Sequence, residues 1–358
     1  MGAWCVSYGL WSRKPAFSRR ILIVGAGRAG QTIAQAITQH TNHDYQIVGF
    51  VDDDPEKQAR MIPVAGGIRE GFGDGGVNEV CFPVLGTWEK LRNLVREHHV
   101  SEVILAIAHD LHGELIKALL DCQALGLQVT PMPVLYERIT GRVPSQHIGD
   151  YWESALPLDH PVAGGIYPIL KRGLDILGAA IGLALYAPLL PFIALAIYID
   201  SPGPIFYRQE RVGKAGRTFR LIKLRTMVPD AEKQGAVFAG EEDPRVTRVG
   251  RFLRKTRLDE FPQLINILRG EMSAVGPRPE RPEHLMELEK EIPFHRMRQA
   301  VRPGMAGWAQ VNYGYVSSVE DARLRLEYDL YYIKHQSLWM DTVIMLRMMA
   351  QMLMFRGR

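Results

Sequence analysis

The sequence has few cysteines, a small net charge and no recognisable secretory signal. Its three cysteines, Cys5, Cys81 and Cys122, show no CxxC spacing, which argues against a disulfide framework and a cysteine-ligated zinc site and favours a reducing compartment. The net charge of +4 is too small to indicate a nucleic-acid partner. Met1 to Arg20 lacks a long apolar core and a small-residue cleavage site, so we expect no secretory signal there.

What the sequence does contain is typical of a globular protein. The 358 residues suffice for two domains, and the 47% apolar and 23% charged fractions exclude extensive disorder. In the first part of the chain, short apolar runs alternate with helical patterns. The runs Ile21–Val24 and Gln46–Val51 are predicted strands, with a predicted helix from Gln31 to Thr41 between them. These patterns predict a doubly wound, Rossmann-like α/β domain over residues 20–143.

A glycine-rich turn follows the first predicted strand directly. Gly25, Gly27 and Gly30 form a Gly-x-Gly-x-x-Gly pattern, and Asp52 closes the second strand about twenty residues later. This spacing favours binding of a diphosphate at the helix and of a ribose hydroxyl at Asp52 or Asp53. The glycines could equally serve only to form a tight turn. Because residues 20–143 contain no Tyr-x-x-x-Lys proton relay, hydride transfer is the weaker alternative.

One apolar segment, Leu174 to Ile199, is long enough to enter a membrane. Pro188 and Pro191 interrupt it, and a proline inside a helix removes a hydrogen bond and bends the axis. We therefore predict a re-entrant helical hairpin over residues 171–200 rather than a simple span or a buried helix. Asp175 should then lie at the headgroup level or pair with Arg172.

A second apolar stretch, Leu338 to Phe355, ends the chain. At helical spacing it could lie in a membrane interface, with basic side chains at the headgroups. Packing as a core helix is an equal alternative.

The chemistry of the chain is most evident at Asp259 and Glu260. These adjacent carboxylates lie between basic residues, and the rigid Pro277-Arg278-Pro279 turn follows. One carboxylate can act as a nucleophile while the other binds a metal, and arginines suit a phosphate-bearing substrate. The pattern therefore predicts phosphoryl-group chemistry.

Several motifs occur in order from Tyr167 to Arg358, and together they resemble the monotopic bacterial sugar transferases. They are Lys171-Arg172-Gly173-Leu174-Asp175, Gln209-Glu210-Arg211-Val212-Gly213, Lys223-Leu224-Arg225-Thr226-Met227, Leu258-Asp259-Glu260, Val275-Gly276-Pro277-Arg278-Pro279 and the run from Val301 to Val311. The amino-terminal α/β domain is similar to that of the large members of this family. The closing run Tyr328–Lys334 is similar to the exopolysaccharide branch.

The resemblance implies transfer of a sugar-1-phosphate from a UDP-sugar to undecaprenyl phosphate, with release of UMP. It places the family's Asp-Glu dyad on Asp259, as the nucleophile of a covalent phosphosugar intermediate, and on Glu260, as the ligand of Mg²⁺. Arg278 and Arg254 would neutralise the developing charge. Further candidates for substrate binding are Lys223, Arg225 and Arg302, although Arg302 could only anchor the glycine-rich turn that follows it.

The predicted organisation is a membrane-proximal leader (1–19), the α/β domain (20–143), a linker (144–166) and a mainly α catalytic domain (167–358). We expect the protein on the cytoplasmic face of a bacterial inner membrane, in contact with its lipid. Large relatives usually carry transmembrane helices before the α/β domain, so this chain is either truncated or a variant, and a homodimer is one assembly open to it. The alternative functions are an NAD(P)-dependent nucleotide-sugar oxidoreductase and a non-catalytic, nucleotide-sensing membrane adaptor.

Overall fold

The computed structural model describes residues 18–41, 44–65, 79–107, 113–145, 165–229, 231, 243–314 and 318–354. Its contacts divide the chain into two units, Met1–Leu156 and Pro157–Arg358. Most of the predicted leader (1–17) and most of the predicted linker (146–164) lie outside the described residues.

The amino-terminal unit is a sheet with helices on both faces, which confirms the predicted Rossmann-like architecture. In chain order its elements are β1 (Arg19–Val24), α1 (Arg28–His40), β2 (Tyr45–Val51), β3 (Met61–Ala65), β4 (Glu79–Gly86), α2 (Leu91–Glu97), β5 (Glu102–Leu105), α3 (Gly113–Ala124), β6 (Gln128–Pro131) and α4 (Met132–Thr140). The strand order is β3-β4-β2-β1-β5-β6. All neighbouring pairs are parallel except β3 and β4, which are antiparallel.

The central strand β1 shows why this sheet has a continuous apolar sequence. Ile21 and Ile23 pack into the core on one face, and Leu22 and Val24 pack into the core on the other. Successive side chains of a strand point to opposite faces, so a strand covered on both sides needs apolar residues throughout.

The sequence patterns did not predict β3, β4 and α4. The edge strand β3 contains Pro63, and β4 contains Pro83. Proline cannot donate to a sheet ladder, so it weakens the sequence signal of a strand and is tolerated mainly at sheet edges.

The glycine-rich turn joins β1 to α1 by a very close approach of two backbone segments. Gly25 has φ of +107°, a conformation that L-residues rarely adopt. A Cβ atom at Gly30 would lie 1.9 Å from the carbonyl oxygen of Gly25, whereas one at Gly27 would meet nothing within 4 Å. Packing alone therefore requires the first and third glycines of the pattern.

The carboxy-terminal unit is mainly helical, and its described residues also form two separate two-stranded sheets. Its elements are α5 (Tyr167–Tyr186), α6 (Leu190–Asp200), β7 (Phe206–Val212), β8 (Thr218–Leu224), α7 (Arg248–Thr256), α8 (Gln263–Arg269), β9 (Ser273–Val275), α9 (Pro282–Glu291), β10 (Gly304–Ala306), α10 (Trp308–Asn312), α11 (Val319–Lys334) and α12 (Leu338–Leu353). Strands β7 and β8 form an antiparallel hairpin, and β9 and β10 are parallel.

The apolar segment forms two helices, α5 and α6, that are bent by 63° across the proline-containing break. In the described ranges, no single helix combines the length and the apolar character needed to cross a bilayer, whereas this bent pair does so by length and composition. The predicted interruption at the prolines is thus present.

Both bent helices contribute to the core of the unit. Ala179 of α5 packs with Leu221 of β8 and Leu264 of α8, and Ile197 of α6 packs with Leu253 of α7.

The terminal helix α12 has two apolar faces of different character. Met340, Ile344 and Met348 are buried in a core cluster, whereas Trp339 and Leu353 are exposed. One face of α12 therefore packs as a core helix, as the second alternative predicted. The other face exposes apolar side chains that a membrane interface could cover.

We predict that Gly30→Ala destabilises the chain by about 3 kcal/mol or more, because its Cβ would force α1 away from the turn at Gly25. The matched variant Gly27→Ala should cost about 1 kcal/mol or less. Urea unfolding of the full chain in detergent measures both. Equal losses in the two variants would contradict the packing role of Gly30.

Candidate active site

The two carboxylates lie on a single turn of 3₁₀ helix, Leu258–Glu260, between α7 and α8. The preceding residue, Arg257, adopts the left-handed conformation, with φ of 55°. This non-glycine conformation reverses the chain at the end of α7 at a small energetic cost. The turn buries Asp259 and Glu260, each of which is 7% exposed.

Glu260 is held by two cations from other elements. Its Oε1 accepts from Nζ of Lys223 on β8 at 3.0 Å and from Nη2 of Arg278 at 2.6 Å. Burial raises the pKa of Glu260, but the charges of Arg278 and Lys223 outweigh burial and hold that pKa well below its usual range. Glu260 is therefore a permanent anion.

Asp259 has the opposite environment. In the part of the chain that the structure describes, no hydrogen bond or ion pair joins its carboxylate to another side chain. Burial first, and the charge of Glu260 second, raise the pKa of Asp259 to about 7. Two neighbouring carboxyl groups with pKa values pushed apart in this way can take separate chemical roles.

The Pro-Arg-Pro turn is anchored from behind, which fixes Arg278. The carbonyl oxygen of Arg278 accepts from Nη2 of Arg298 at 3.0 Å, and that of Pro279 accepts from Nη1 of Arg211 at 3.0 Å. Arg298 also pairs with Glu280 at 3.0 Å and with Asp329 at 2.7 Å. The arrangement leaves the Arg278 guanidinium directed at Glu260.

The dyad opens into a cavity of about 1370 Å³ within the carboxy-terminal unit. Its lining brings together most of the predicted site residues, namely Asp259, Glu260, Arg278, Arg254, Lys223 and Arg225. This clustering places an excess of positive charge around two carboxylates, which suits an anionic ligand.

Two of the predicted binding residues are engaged elsewhere. Arg225 donates to the carbonyl oxygens of Ser201 and Pro202 at the end of α6. Arg302 is exposed, donates to the carbonyl oxygen of Gly270 at 3.0 Å, and is not part of the cavity lining. Arg254 lines the cavity and donates to Oγ1 of Thr226 at 2.9 Å.

The sequence assigned Mg²⁺ to Glu260, whose neighbour Asp259 was the predicted nucleophile. The described residues contain no group of three or more His, Cys, Asp and Glu side chains that could hold a metal ion. A magnesium ion in phosphate chemistry takes only one or two protein carboxylates, with phosphate oxygens and water completing its shell. Within the described ranges no side chain donates to Asp259, and Oε2 of Glu260 has one contact, at 3.4 Å with Arg278, so the pair fits such an ion.

The helix α5 contacts the Leu258–Glu260 turn from the other side. The hydroxyl of Tyr186, which is buried, donates to the carbonyl oxygen of Leu258 at 3.1 Å. The ring of Tyr186 stacks on Phe261 at 5.0 Å between centroids. One residue on each side of the dyad is thus fixed by the last residue of α5. The sequence offered no signal for this contact, because Tyr186 lies more than seventy positions away.

Further polar contacts anchor the rest of the bent pair. The prediction that Asp175 pairs with Arg172 is wrong: Asp175 is buried and accepts from the backbone N–H of Ala274 at 2.9 Å. Its predicted position at the headgroup level stays a prediction. Arg172 instead donates to the carbonyl oxygens of Ile267 and Leu268 at the end of α8. Buried polar groups must be paired, and β9 supplies the donor that Asp175 needs.

In the amino-terminal unit, Asp52 is directed at the glycine-rich turn itself. Its Oδ2 accepts from the backbone N–H of Ala26 at 2.7 Å, and its Oδ1 accepts from that of Asp54 at 3.0 Å. A backbone amide that would face a diphosphate is therefore already bonded to a carboxylate. The glycine-rich turn is thus bonded to Asp52 of its own domain, which fits a bound dinucleotide poorly. Its predicted binding residues were Gly25, Gly27, Gly30 and Asp52.

Comparison with known proteins identifies two regions. Residues 166–355 match the model of the family described as "Bacterial sugar transferase". Residues 19–129 match the family described as "Oxidoreductase family, NAD-binding Rossmann fold".

Three curated relatives illustrate the likeness. The chain is 44% identical over 238 residues to the UDP-N-acetylgalactosamine-undecaprenyl-phosphate N-acetylgalactosaminephosphotransferase of Aeromonas hydrophila, covering 66% of this chain and 55% of the relative. It is 31% identical over 353 residues to the UDP-glucose:undecaprenyl-phosphate glucose-1-phosphate transferase of Escherichia coli (strain K12), covering 95% and 69%. It is 40% identical over 183 residues to the exopolysaccharide production protein PSS of Rhizobium leguminosarum bv. phaseoli, covering 48% and 90%. The chain thus spans only about half the length of the Aeromonas relative.

We predict that Asp259→Asn stabilises the metal-free chain, by about 2 to 4 °C in its unfolding midpoint at about pH 8 and by less at about pH 5. The folded-state pKa of Asp259, about 7, exceeds its unfolded value, so ionisation costs stability as pH rises towards the folded pKa and the cost is complete above it. Thermal unfolding with EDTA present measures the difference.

The control is Asp341→Asn, which removes a carboxylate that accepts from Lys171, Tyr167 and Tyr332. This variant should be less stable than the parent. A loss of stability in Asp259→Asn at both pH values would contradict the unpaired state of Asp259.

Proposed function

The chain belongs to the bacterial sugar transferase family, and on that basis we propose that it transfers a sugar-1-phosphate from a UDP-sugar to undecaprenyl phosphate and releases UMP. The observation that carries the proposal is the pair of buried carboxylates with divergent pKa values in a cationic cavity. The relatives from Aeromonas and Escherichia carry names for reactions of this type.

In the proposed reaction Asp259 is the nucleophile. An ionised carboxylate oxygen of Asp259 attacks the phosphorus that carries the sugar, and the bond from this phosphorus to the bridging oxygen breaks. The electron pair of that bond leaves with UMP, and the sugar phosphate stays on Asp259 as an acyl phosphate. An oxygen of undecaprenyl phosphate then attacks the same phosphorus and releases the Asp259 carboxylate.

The cavity's cations support both displacements electrostatically. Arg278, Lys223 and Arg254 place positive charge beside the phosphoryl oxygens, in a buried site where charge interactions are strong. Arg278 needs no reorganisation, because the contacts of Arg298 and Arg211 fix the backbone around it. Because these groups neutralise the phosphoryl charge, the Asp259 carboxylate can approach the anionic diphosphate.

Glu260, with Asp259 beside it, would hold Mg²⁺. When bound, this ion would neutralise charge on the diphosphate and orient it. The pairs from Glu260 to Arg278 and Lys223 would then keep the Glu260 carboxylate ionised and in place.

The bent helices suit a membrane surface on the cytoplasmic side. Four apolar side chains of these helices are 72–74% exposed: Ile169, Leu185, Phe192 and Ile199. Exposed apolar surface of this kind is unfavourable in water and marks a contact with a membrane or a protein. Insertion of α5 and α6 into one leaflet would cover these side chains and place the dyad beside the phosphate of a lipid whose tail stays in the bilayer. The likeness to the Rhizobium protein supports a role in exopolysaccharide assembly.

An NAD(P)-dependent oxidoreductase remains the second candidate, because residues 19–129 match an oxidoreductase family. The bonding of Asp52 to Ala26 weighs against it. Reduction of NAD(P)⁺ on addition of UDP-sugars, seen as absorbance near 340 nm, would favour this candidate over sugar-phosphate transfer.

We predict that Asp259→Asn lowers UMP release by at least about a thousandfold and abolishes covalent labelling by a UDP-sugar, because the amide is not a nucleophile. Glu260→Gln should also lower UMP release and weaken its dependence on Mg²⁺, yet retain labelling. The assay supplies UDP-sugars and undecaprenyl phosphate in lipid vesicles. Full activity of Asp259→Asn would exclude the nucleophile assignment, and no UMP release from the unchanged chain would exclude the function.

We further predict that Tyr186→Phe lowers kcat by about tenfold and leaves KM for the UDP-sugar within about twofold. The phenyl ring keeps the stacking on Phe261, but the carbonyl of Leu258 loses its hydrogen-bond donor. The turn then holds the Asp259 carboxylate less precisely for attack on the phosphorus. The control is Tyr198→Phe, since Tyr198 is a half-exposed residue of α6. Equal kinetics of Tyr186→Phe and the unchanged chain would contradict the role of α5 in positioning the turn.

A further inference from the structure

The cavity continues beyond Arg278 into a second region, which we call the polar half. Elements α9 to α11 and the turn His295–Ala300 line it. Its charged and polar side chains include Glu280, His295, Arg298, Gln310 and Arg325, and the same part of the lining also contains Arg281, His284, Glu287 and Glu291.

The charges of the polar half cancel. Glu280 accepts from Nη1 of Arg298 at 3.0 Å and from Nη1 of Arg325 at 3.1 Å. Arg298 also donates through Nε to Asp329 at 2.7 Å. Two guanidinium groups thus face two carboxylates, whereas an excess of cations surrounds the dyad. A diphosphate is therefore favoured at the dyad, and an uncharged group is favoured in the polar half.

Three polar atoms of this region are buried without a hydrogen-bond partner among the described residues: Nδ1 of His295, Oε1 of Gln310 and Nη2 of Arg325. His295 itself is only 2% exposed. Burial, and then the charge of Arg298, lower the pKa of His295 to about 4, so its imidazole is neutral at physiological pH. Buried polar atoms without partners are costly, and a cluster of them beside a cavity indicates a polar ligand.

These atoms make up a mixed hydrogen-bonding set. Arg325 offers a donor, Gln310 offers an acceptor, and a neutral imidazole nitrogen can do either. A sugar hydroxyl both donates and accepts, so several hydroxyls on one ring match the set.

We propose that the polar half binds the sugar ring of the donor, a neutral polyhydroxylated ring, and that Arg325 and Gln310 select which sugar is transferred. The inference rests on the proposed function, because it assigns one part of the donor to one part of the same cavity. A site that bonds to a hydroxyl rejects the epimer that lacks it there, because its buried polar atoms are then left unpaired.

The uracil base is the competing occupant. A flat base is bound best against an aromatic face. Apart from imidazoles, the described lining of the polar half has one aromatic ring, Tyr313. That ring stacks on Tyr328 at 6.3 Å, and its hydroxyl donates to Asp321 at 2.6 Å. The polar half therefore favours the sugar.

The experiment uses Arg325→Lys, which keeps a cation beside Glu280 but removes the unpaired Nη2, and Gln310→Met, which keeps the shape but removes Oε1. The control is Arg323→Lys, the same change on the same helix at a residue outside the cavity lining. UMP release is measured with UDP-glucose, UDP-galactose and their N-acetylamino forms. The inhibition constant of UDP, which lacks the sugar, is measured for each variant.

For Arg325→Lys and Gln310→Met we expect KM for the preferred UDP-sugar to rise about tenfold and the preference between epimers to shrink, with the inhibition constant of UDP unchanged within about twofold. Arg323→Lys should match the unchanged chain. A parallel rise in the inhibition constant of UDP would assign the polar half to the nucleotide and overturn the inference, as would an unchanged KM. If the unchanged chain releases no UMP from any of the four donors, the proposed function itself fails, and the inference fails with it.

Discussion

The burial of two neighbouring carboxylates is the constraint on which the rest of the catalytic unit depends. A buried anion is stable only when it is paired, so Glu260 requires Lys223 from β8 and Arg278 from the Pro-Arg-Pro turn. These two cations pair with Glu260, and among the described residues no side chain pairs with Asp259. Burial, and then the charge of Glu260, raise the pKa of Asp259. One ion-pair cluster thus goes together with two adjacent carboxyl groups whose pKa values are shifted in opposite directions.

The elements around the dyad are arranged to hold this cluster without closing the cavity. Arg298 fixes the carbonyl of Arg278 and is itself balanced by Glu280 and Asp329. On the opposite side, Tyr186 of α5 fixes the residue before Asp259. The bent helix pair and the Leu258–Glu260 turn are therefore in direct contact through Tyr186. A lipid surface that receives α5 and α6 would also set the position of the dyad, which suits chemistry on a lipid phosphate.

The amino-terminal unit shows how a sequence motif can be required by packing alone. Its glycine pattern lies between a strand and a helix, as in dinucleotide-binding domains. Gly25 and Gly30 are needed for the close approach of two backbone segments, and Asp52 bonds to the turn instead of leaving it free. The motif therefore predicted the local fold correctly. The contacts of Asp52 weigh against the dinucleotide binding that the motif suggests.

The sequence by itself determined the α/β architecture, the helix break at Pro188 and Pro191, and the family, because these follow from local periodicity, backbone restriction and ordered motifs. Only the tertiary structure decided which charges meet. The partner of Asp175 is a backbone amide of β9. Arg172 lies three residues earlier on the same helix but donates to a carbonyl oxygen of α8. Arg298 and Tyr186 carry no sequence signal, since their partners are distant along the chain. The separate states of Asp259 and Glu260 likewise depend on side chains from other elements, and burial turns those contacts into different chemistry.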